Sequence, residues 1–326
     1  MKVGFVFAYI KKCHNKLIDL SKQENVSICH LWWDSLCSYL RYGCTIRQYV
    51  DGNFFRYSSF ERSKVLTCRK YYKLLEKTND PSFTRYLEDK SLFNNLFSEF
   101  VHRKWVSSRE MNENDFSIVC RQNKGIIVKP IEGMEGDGIF RIPAEQLTSD
   151  YLVKQHFLKL KQSNSIIEEL IEQHHNMSFN SESINTIRVI SLMDKKTQEV
   201  IILKTVLRAG VGDAVVDNYH QGGCCYEVDV KSGRVCSFGI SAKHGKCLFH
   251  PGTNICMLGY EVPNWDKVIE GCTNAHKLLP QCRYISWDVA ITENGIEIIE
   301  GNHNGDYDMI EFVGSGKYWP VIKSYL

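Results

Sequence analysis

Apolar and aromatic side chains recur at intervals of three and four through roughly the first 115 residues. Trp32, Trp33, Leu36, Tyr39 and Leu40 form one such series, and Leu92, Phe93, Leu96, Phe97 and Phe100 another. Both read as amphipathic helix, with Gly43 a natural stop for the first. From about residue 125 the texture changes to short β-rich runs separated by turn residues: 126–128, 139–142, 186–192, 200–207, 226–230, 235–240, 284–291 and 296–299. Lys231-Ser232-Gly233 and Glu293-Asn294-Gly295 read as hairpin turns, because Asn and Gly accept the positive φ such turns need. Helical spacing returns at 144–162 and 265–279. The pattern predicts an α+β chain, helical in front and mostly antiparallel hairpins behind.

Composition narrows the class. Of 326 residues, 43% are hydrophobic and 24% charged, which excludes a disordered chain, a collagen-like repeat and a coiled coil. Lys and Arg total 40 against 38 Asp and Glu, so the basic excess of a polyanion binder is missing and nucleic acid is not an expected partner. No apolar run approaches the ~18–20 residues that span a bilayer. Val3–Ile10 is followed at once by Lys11 and Lys12 and lacks a small-residue cleavage site, so it is expected to be mature protein. Thirteen scattered cysteines without a C-x-x-C pair point to reduced thiols in a cytoplasmic protein, with Cys224-Cys225 packed in or beside a strand.

Three segments carry candidate chemistry. In 125–142, Gly133, Gly136 and Gly138 lie between two β-like runs, where backbone N–H groups can approach a phosphate closely. Lys129 leaves the first run just before this loop, and a plain hairpin is the competing reading. The order G-x-x-G-x-G, followed by strand, excludes both a P-loop and a Rossmann fingerprint. In 284–302, a three-residue loop Glu293-Asn294-Gly295 with Gly295 left-handed would put Asp288 opposite Glu300, with Asn302 on the same face. Two carboxylates and a carboxamide there suit Mg²⁺ or Mn²⁺, and the cation would explain why two like charges face each other. Repulsion alone implies that amidating either acid leaves stability equal or higher. In the third segment, an acid closing the run Ile166–Ile171 could meet an adenine amino group or a ribose hydroxyl, and Arg188 a terminal phosphate.

In this order the segments resemble the ATP-grasp superfamily, and in detail its sugar-transfer-associated family from polysaccharide biosynthesis. The signatures are Ile127-Val-Lys-Pro130 with the Gly133–Gly138 loop, Ile167-Glu-Glu-Leu170, Ser183-Ile-Asn-Thr-Ile-Arg188 and Val216-Asp-Asn-Tyr-His-Gln-Gly-Gly223. They continue with His250-Pro-Gly-Thr253, Trp287-Asp-Val-Ala-Ile-Thr292 and Ile299-Glu-Gly-Asn302. The resemblance runs from about Glu88 to the C-terminus and implies ATP clamped between two α+β subdomains, with Mg²⁺ bridging its phosphates. It implies Lys90 and Lys129 as the two ATP-contacting lysines, Gly133–Gly138 as the flap, and Glu168 and Glu169 at the adenine and ribose edge. Arg188 resembles the phosphate-side arginine, and Asp288, Glu300 and Asn302 the metal ligands. Met134, Glu135 and Asp137 depart from the small residues usual in the flap.

The expected organisation is a helical region at 1–85 and an ATP-grasp domain at 86–326, with a nucleotide lid at about 120–175 and a metal and acceptor part at about 176–326. Asp217, Asn218, His220, Lys243 and His250 are acceptor-site candidates, with satisfied core groups as the alternative for the histidines. The expected function is an ATP-dependent carboxylate–amine ligase working through an acyl phosphate and joining an amino acid to a sugar or glycan precursor. A kinase acting on a hydroxyl and a non-catalytic nucleotide binder are the alternatives. The basic front (Lys11, Lys12, Arg41, Arg47, Arg56, Arg62, Lys64, Arg69, Lys70) reads as solvated helix faces, or as a dock for a glycan-biosynthesis enzyme or an anionic glycan.

Overall fold

A computed structural model describes residues 3–121, 124–133, 137–179, 183–212, 222–305 and 307–326. The chain divides into two compact units, Met1–Thr78 with Asp306–Leu326, and Asn79–Gly305.

The first unit is helical: Val3–Glu24, Ile28–Tyr42, Ile46–Asp51, Ser59–Lys64, Cys68–Thr78, Tyr307–Phe312 and Trp319–Ser324. The helix Ile28–Tyr42 ends at Gly43, which is left-handed at φ 73°, and a Cβ there would strike Arg69. Leu17, Leu20, Leu31, Cys44, Tyr49, Phe54 and Val65 form the core. Asp34 at its edge accepts from Arg62 at 2.6 and 2.7 Å and from the Tyr49 hydroxyl at 2.6 Å. Several of the basic residues are therefore not free faces. Arg62 is held by Asp34, Arg47 by Asp51 and Asp308, Arg56 by Glu24, and Arg69 and Lys70 donate to backbone carbonyls.

The second unit contains two antiparallel sheets. The smaller has order β1-β4-β2-β3, with β1 Trp105–Ser107, β2 Ile126–Pro130, β3 Phe140–Ile142 and β4 Ser165–Glu169. Helices Glu113–Cys120 and Asp150–Leu160 supply Phe116, Val119, Val153, Phe157 and Leu160 to a core with Ile126, Val128, Ile142 and Ile167. The helix expected over 144–162 begins only at Asp150, because the Ser149 hydroxyl caps it by accepting from Leu152 N–H.

The larger sheet has order β11-β10-β5-β6-β7-β8-β9. Its strands are β5 Thr186–Met193, β6 Val200–Ala209, β7 Cys224–Val228, β8 Gly239–Ser241, β9 Gly245–Cys247, β10 Tyr284–Thr292 and β11 Gly295–Asn302. The strand expected at 235–240 is reduced to one bridge at Val235 and the short β8, since Cys236 and Ser237 turn back onto Glu227. Ile187, Val189, Leu207, Tyr226, Trp287, Val289, Ile291 and Ile298 fill one face with the helix Trp265–Lys277. Strand alternation turns Arg188, Lys204, Arg208, Glu227, Ser286, Asp288 and Glu300 to the other face.

Candidate active site

Asp288 and Glu300 face each other across β10 and β11, by a different route from the one the sequence suggests. Thr292 pairs with Gly295, so the connection is two residues long, and Gly295 is not left-handed. That register alone would set Ile299 against Asp288 and turn Glu300 toward Trp287 and the core. A bulge intervenes: Val289 pairs with Ile298 but Asp288 with Glu300, leaving Ile299 as the extra residue. The bulge returns Glu300 to the polar face.

Asp288 is the hub. Arg188, its partner across β10 and β5, grips the carboxylate with Nε and with a second nitrogen at 2.8 Å. Arg208 on β6 adds a bond at 2.9 Å. Burial pushes the Asp288 carboxyl up, but the two guanidiniums outweigh it and bring it to about 2. Glu300 feels the Arg188 charge more weakly. Burial first, and then the Asp288 charge, hold its carboxyl above the usual value, and Asn302 Nδ2 donates to it at 3.2 Å. Two hydrogen-bonded carboxyls, one of them raised, with a carboxamide beside them, form a hard-oxygen set that fits Mg²⁺. Ser286, paired with Asn302, lies fully buried with no partner for its hydroxyl among the described residues, and a Cβ on Gly305 would collide with it.

The two expected ATP lysines differ in their surroundings. Lys129 on β2 pairs with Glu168 on β4 at 2.6 Å, and Glu168 also meets Arg103 at 2.9 Å and Asn94 Nδ2 at 3.0 Å. Arg103, buried, donates to Glu297 at 2.6 Å and to the carbonyls of Ile298 and Ile299. Glu168 was expected at the nucleotide edge, yet it is only 1% exposed and anchors a charge-balanced quartet of Lys129, Arg103, Glu168 and Glu297. Burial pushes its carboxyl up, and Arg103 and Lys129 hold it well below the usual range. Glu169, one step along, carries a buried Oε2 without a partner among the described residues, a better fit to a ligand hydroxyl or amine. Lys90 donates to Gly133 O at 3.1 Å. Burial lowers its pKa, the Glu300 charge opposes that, and Lys129 adds to it, so Lys90 shares the electrostatic surroundings of both groups.

In the loop, Gly133 and Gly138 have φ of 149° and 73°. A Cβ on Gly138 would press on Pro130 at 2.9 Å. Gly136, Asp217, Asn218 and His220 lie outside the described residues. Lys243 is exposed in the β8–β9 turn beside Gly222. His250 is buried with both ring nitrogens engaged, by Gly210 O at 3.0 Å and Thr253 Oγ1 at 3.2 Å. Sequence reasoning missed Arg208, Arg103, Asn94, Glu297 and Ser286. Only a charge inside the largely apolar run Ile201–Ala209, which Lys204 shares, carried a signal for Arg208.

Lys90 and Lys129 should therefore separate by mutation. Lys129→Met leaves Glu168 short of a cation and is expected to lower the melting temperature as well as ATP affinity. Lys90→Met removes a donor bound to one carbonyl and is expected to raise the KM for ATP at least about tenfold, the value of one charge-assisted hydrogen bond, with little change in melting. Steady-state kinetics and thermal melts on both variants check this.

No curated protein sequence matches this chain. Among solved structures it is similar to the ATP-grasp ligase PsnB complexed with a phosphomimetic variant of minimal precursor, Mg and ADP, at 14% identity over 82% of this chain and 67% of that one, with a TM-score of 0.44. It is also similar to D-alanine–D-alanine ligase from Bacillus anthracis (12%, 69% and 59%, TM-score 0.39). A third is N5-carboxyaminoimidazole ribonucleotide synthetase from Thermotoga maritima (12%, 79% and 55%, TM-score 0.43). The sequence model of the sugar-transfer associated ATP-grasp family matches residues 69–319, which is more than three quarters of the chain and takes in every candidate site residue from Lys90 to Asn302. By that match the chain belongs to the sugar-transfer associated ATP-grasp family.

Proposed function

We propose that the protein is an ATP- and Mg²⁺-dependent carboxylate–amine ligase that joins an amino acid to a sugar or glycan precursor. The observation that carries this reading is the Asp288–Glu300 carboxyl pair with Asn302 beside it and Arg188 and Arg208 against Asp288. Asp288, Glu300 and Asn302 would hold Mg²⁺, which when bound offsets charge on phosphate oxygens. Lys90 and Lys129 face the nucleotide phosphates under the Gly133–Gly138 loop, and Glu169 its adenine or ribose. The four-stranded sheet acts as the lid and the seven-stranded sheet as the metal and acceptor side.

In the first step a substrate carboxylate oxygen attacks the γ-phosphorus and the bond to ADP breaks. In the second, an amine nitrogen attacks the acyl carbon and the C–O bond breaks, releasing phosphate and a proton. Arg188 is the donor to the transferring phosphoryl group, and Arg208, which shares Asp288 Oδ2 with it, keeps that carboxylate fixed while Arg188 is engaged. Charge neutralisation and alignment are the main demands of such transfers, so no nucleophilic side chain is needed. Thirteen cysteines with free thiols support a reducing compartment such as the cytoplasm. Among the described residues no helix is long and apolar enough to cross a membrane.

The products decide the reaction. With the right carboxylate, ATP is expected to give ADP and phosphate, hydroxylamine to trap a hydroxamate, and carboxylate ¹⁸O to appear in the released phosphate. AMP and pyrophosphate would exclude the mechanism. ADP with a stable phosphorylated alcohol and no free phosphate would identify a kinase instead.

A further inference from the structure

Outside the site above, two histidines and a glutamate converge where the segment leaving β4 meets the β10–β11 turn. One ligand atom each from His174, His175 and Glu293 lie within 4.8 Å of one another. His175 Nδ1 is 2.8 Å from Glu293 Oε1, His174 Nε2 is 3.4 Å from Oε2, and the two rings stack at 4.4 Å between centroids.

We propose that His174, His175 and Glu293 bind one divalent transition-metal cation, of which Zn²⁺ is the best match, with water in the fourth position. Two imidazoles select this class over Mg²⁺ or Ca²⁺, and the single carboxylate is compatible with it. Ligand atoms at about 2.0 Å from a tetrahedral metal lie about 3.3 Å apart, so the existing spacing needs only small side-chain shifts. Backbone bonds hold the three residues in place without the metal. His174 N–H donates to Ile291 O at 2.7 Å, His175 N–H to Glu293 Oε1 at 2.8 Å, and Lys267 Nζ to Asn294 O at 2.8 Å. The Tyr260 hydroxyl donates to Asn176 O on the next residue.

The local proton positions must change: His175 gives up the proton its Nδ1 shares with Glu293 Oε1 and carries it on Nε2 instead. Asn176 N–H donates to His174 Nδ1 at 3.1 Å, so the neutral ring carries its proton on Nε2, toward Glu293. The cation takes Nε2, the proton moves to Nδ1, and the exposed Asn176 N–H turns to water. The bound ion ties the strand that carries Glu168 and Glu169 to the hairpin that carries Asp288 and Glu300. It acts as a structural clamp, separate from the hard-oxygen site.

The test is Co²⁺ and Zn²⁺ binding to the chelator-treated full chain in excess Mg²⁺, with the exposed thiols of Cys29, Cys236 and Cys256 alkylated. One equivalent of cobalt is expected, giving visible d–d bands without a sulfur-to-cobalt charge-transfer band. His174→Ala, His175→Ala and Glu293→Gln are each expected to weaken binding at least about tenfold. Zn²⁺ is expected to raise the melting temperature of the wild type by mass action and to leave that of Glu293→Gln unmoved. Unaltered affinity in the three variants, a sulfur-coordinated spectrum, or no bound equivalent would overturn the proposal.

Discussion

Glu300→Gln and Asp288→Asn are each expected to leave less than about a tenth of wild-type ATP turnover, because one carbonyl oxygen cannot replace a carboxylate's charge toward a bound cation. Their stabilities are expected to diverge. From repulsion alone, both changes would be neutral or stabilising. The structure supports this only for Glu300, whose carboxyl is raised by burial and by Asp288 more than the Arg188 charge lowers it. Asp288 is the shared anion of Arg188 and Arg208, and its loss takes away the carboxylate that both guanidiniums grip. Breaking a buried pair this way costs about 3–5 kcal/mol, so Asp288→Asn should melt well below the wild type while Glu300→Gln melts at or above it. Calorimetry on metal-free protein tells the two apart, and equal melting of both variants would contradict the assignment of the arginines to Asp288. The sign of the pH effect follows. A carboxyl raised in the folded state favours folding below its unfolded value, and that contribution is lost as pH rises through the folded one. Metal-free wild type should therefore gain stability on mild acidification relative to Glu300→Gln.

Arg103→Met is expected to be the most damaging substitution outside the hairpin, by about 3–5 kcal/mol in denaturant unfolding. It removes the cation between Glu168 and Glu297 and the hydrogen bonds to Glu297, Ile298 O, Ile299 O and Asn94. Glu168 retains Lys129 and Asn94, but among the described residues Glu297 keeps the backbone N–H groups of His102 and residue 103. Adding Glu297→Gln to Arg103→Met should restore part of the loss. Glu168 is held low in the folded state, so its contribution is present above the unfolded value and fades as pH falls through the folded one. The gap between wild type and variant should be widest near neutrality and narrow in acid. A loss under about 1 kcal/mol, the scale of a surface pair, would show that the quartet is not charge-balanced as described.

Local pattern reports a residue's own element, and there the sequence was informative. Helical spacing with Gly43 predicted the helix Ile28–Tyr42 and its stop, and alternation with turn residues predicted the hairpin of β10 and β11. Because β10 and β11 adjoin in the chain, facing of Asp288 and Glu300 was also within reach. The means was not. A two-residue turn combined with a bulge at Ile299 gives the same pairing as a three-residue loop without one, and only the packing of Ile298 and Trp287 against the core selects between them. Which partner a residue meets at a distance in sequence left no trace. Arg208 reaches Asp288 from 80 residues away, and Arg103 reaches Glu297 from 194. Which strands become neighbours depends on sheet order, a property of the assembled core and not of any window of sequence. For the same reason Lys129 and Glu168 could be read as polar residues near a nucleotide, but not as each other's counter-ion: periodicity marks a charged side chain as facing away from the core, and only the tertiary structure decides which opposite charge it meets there.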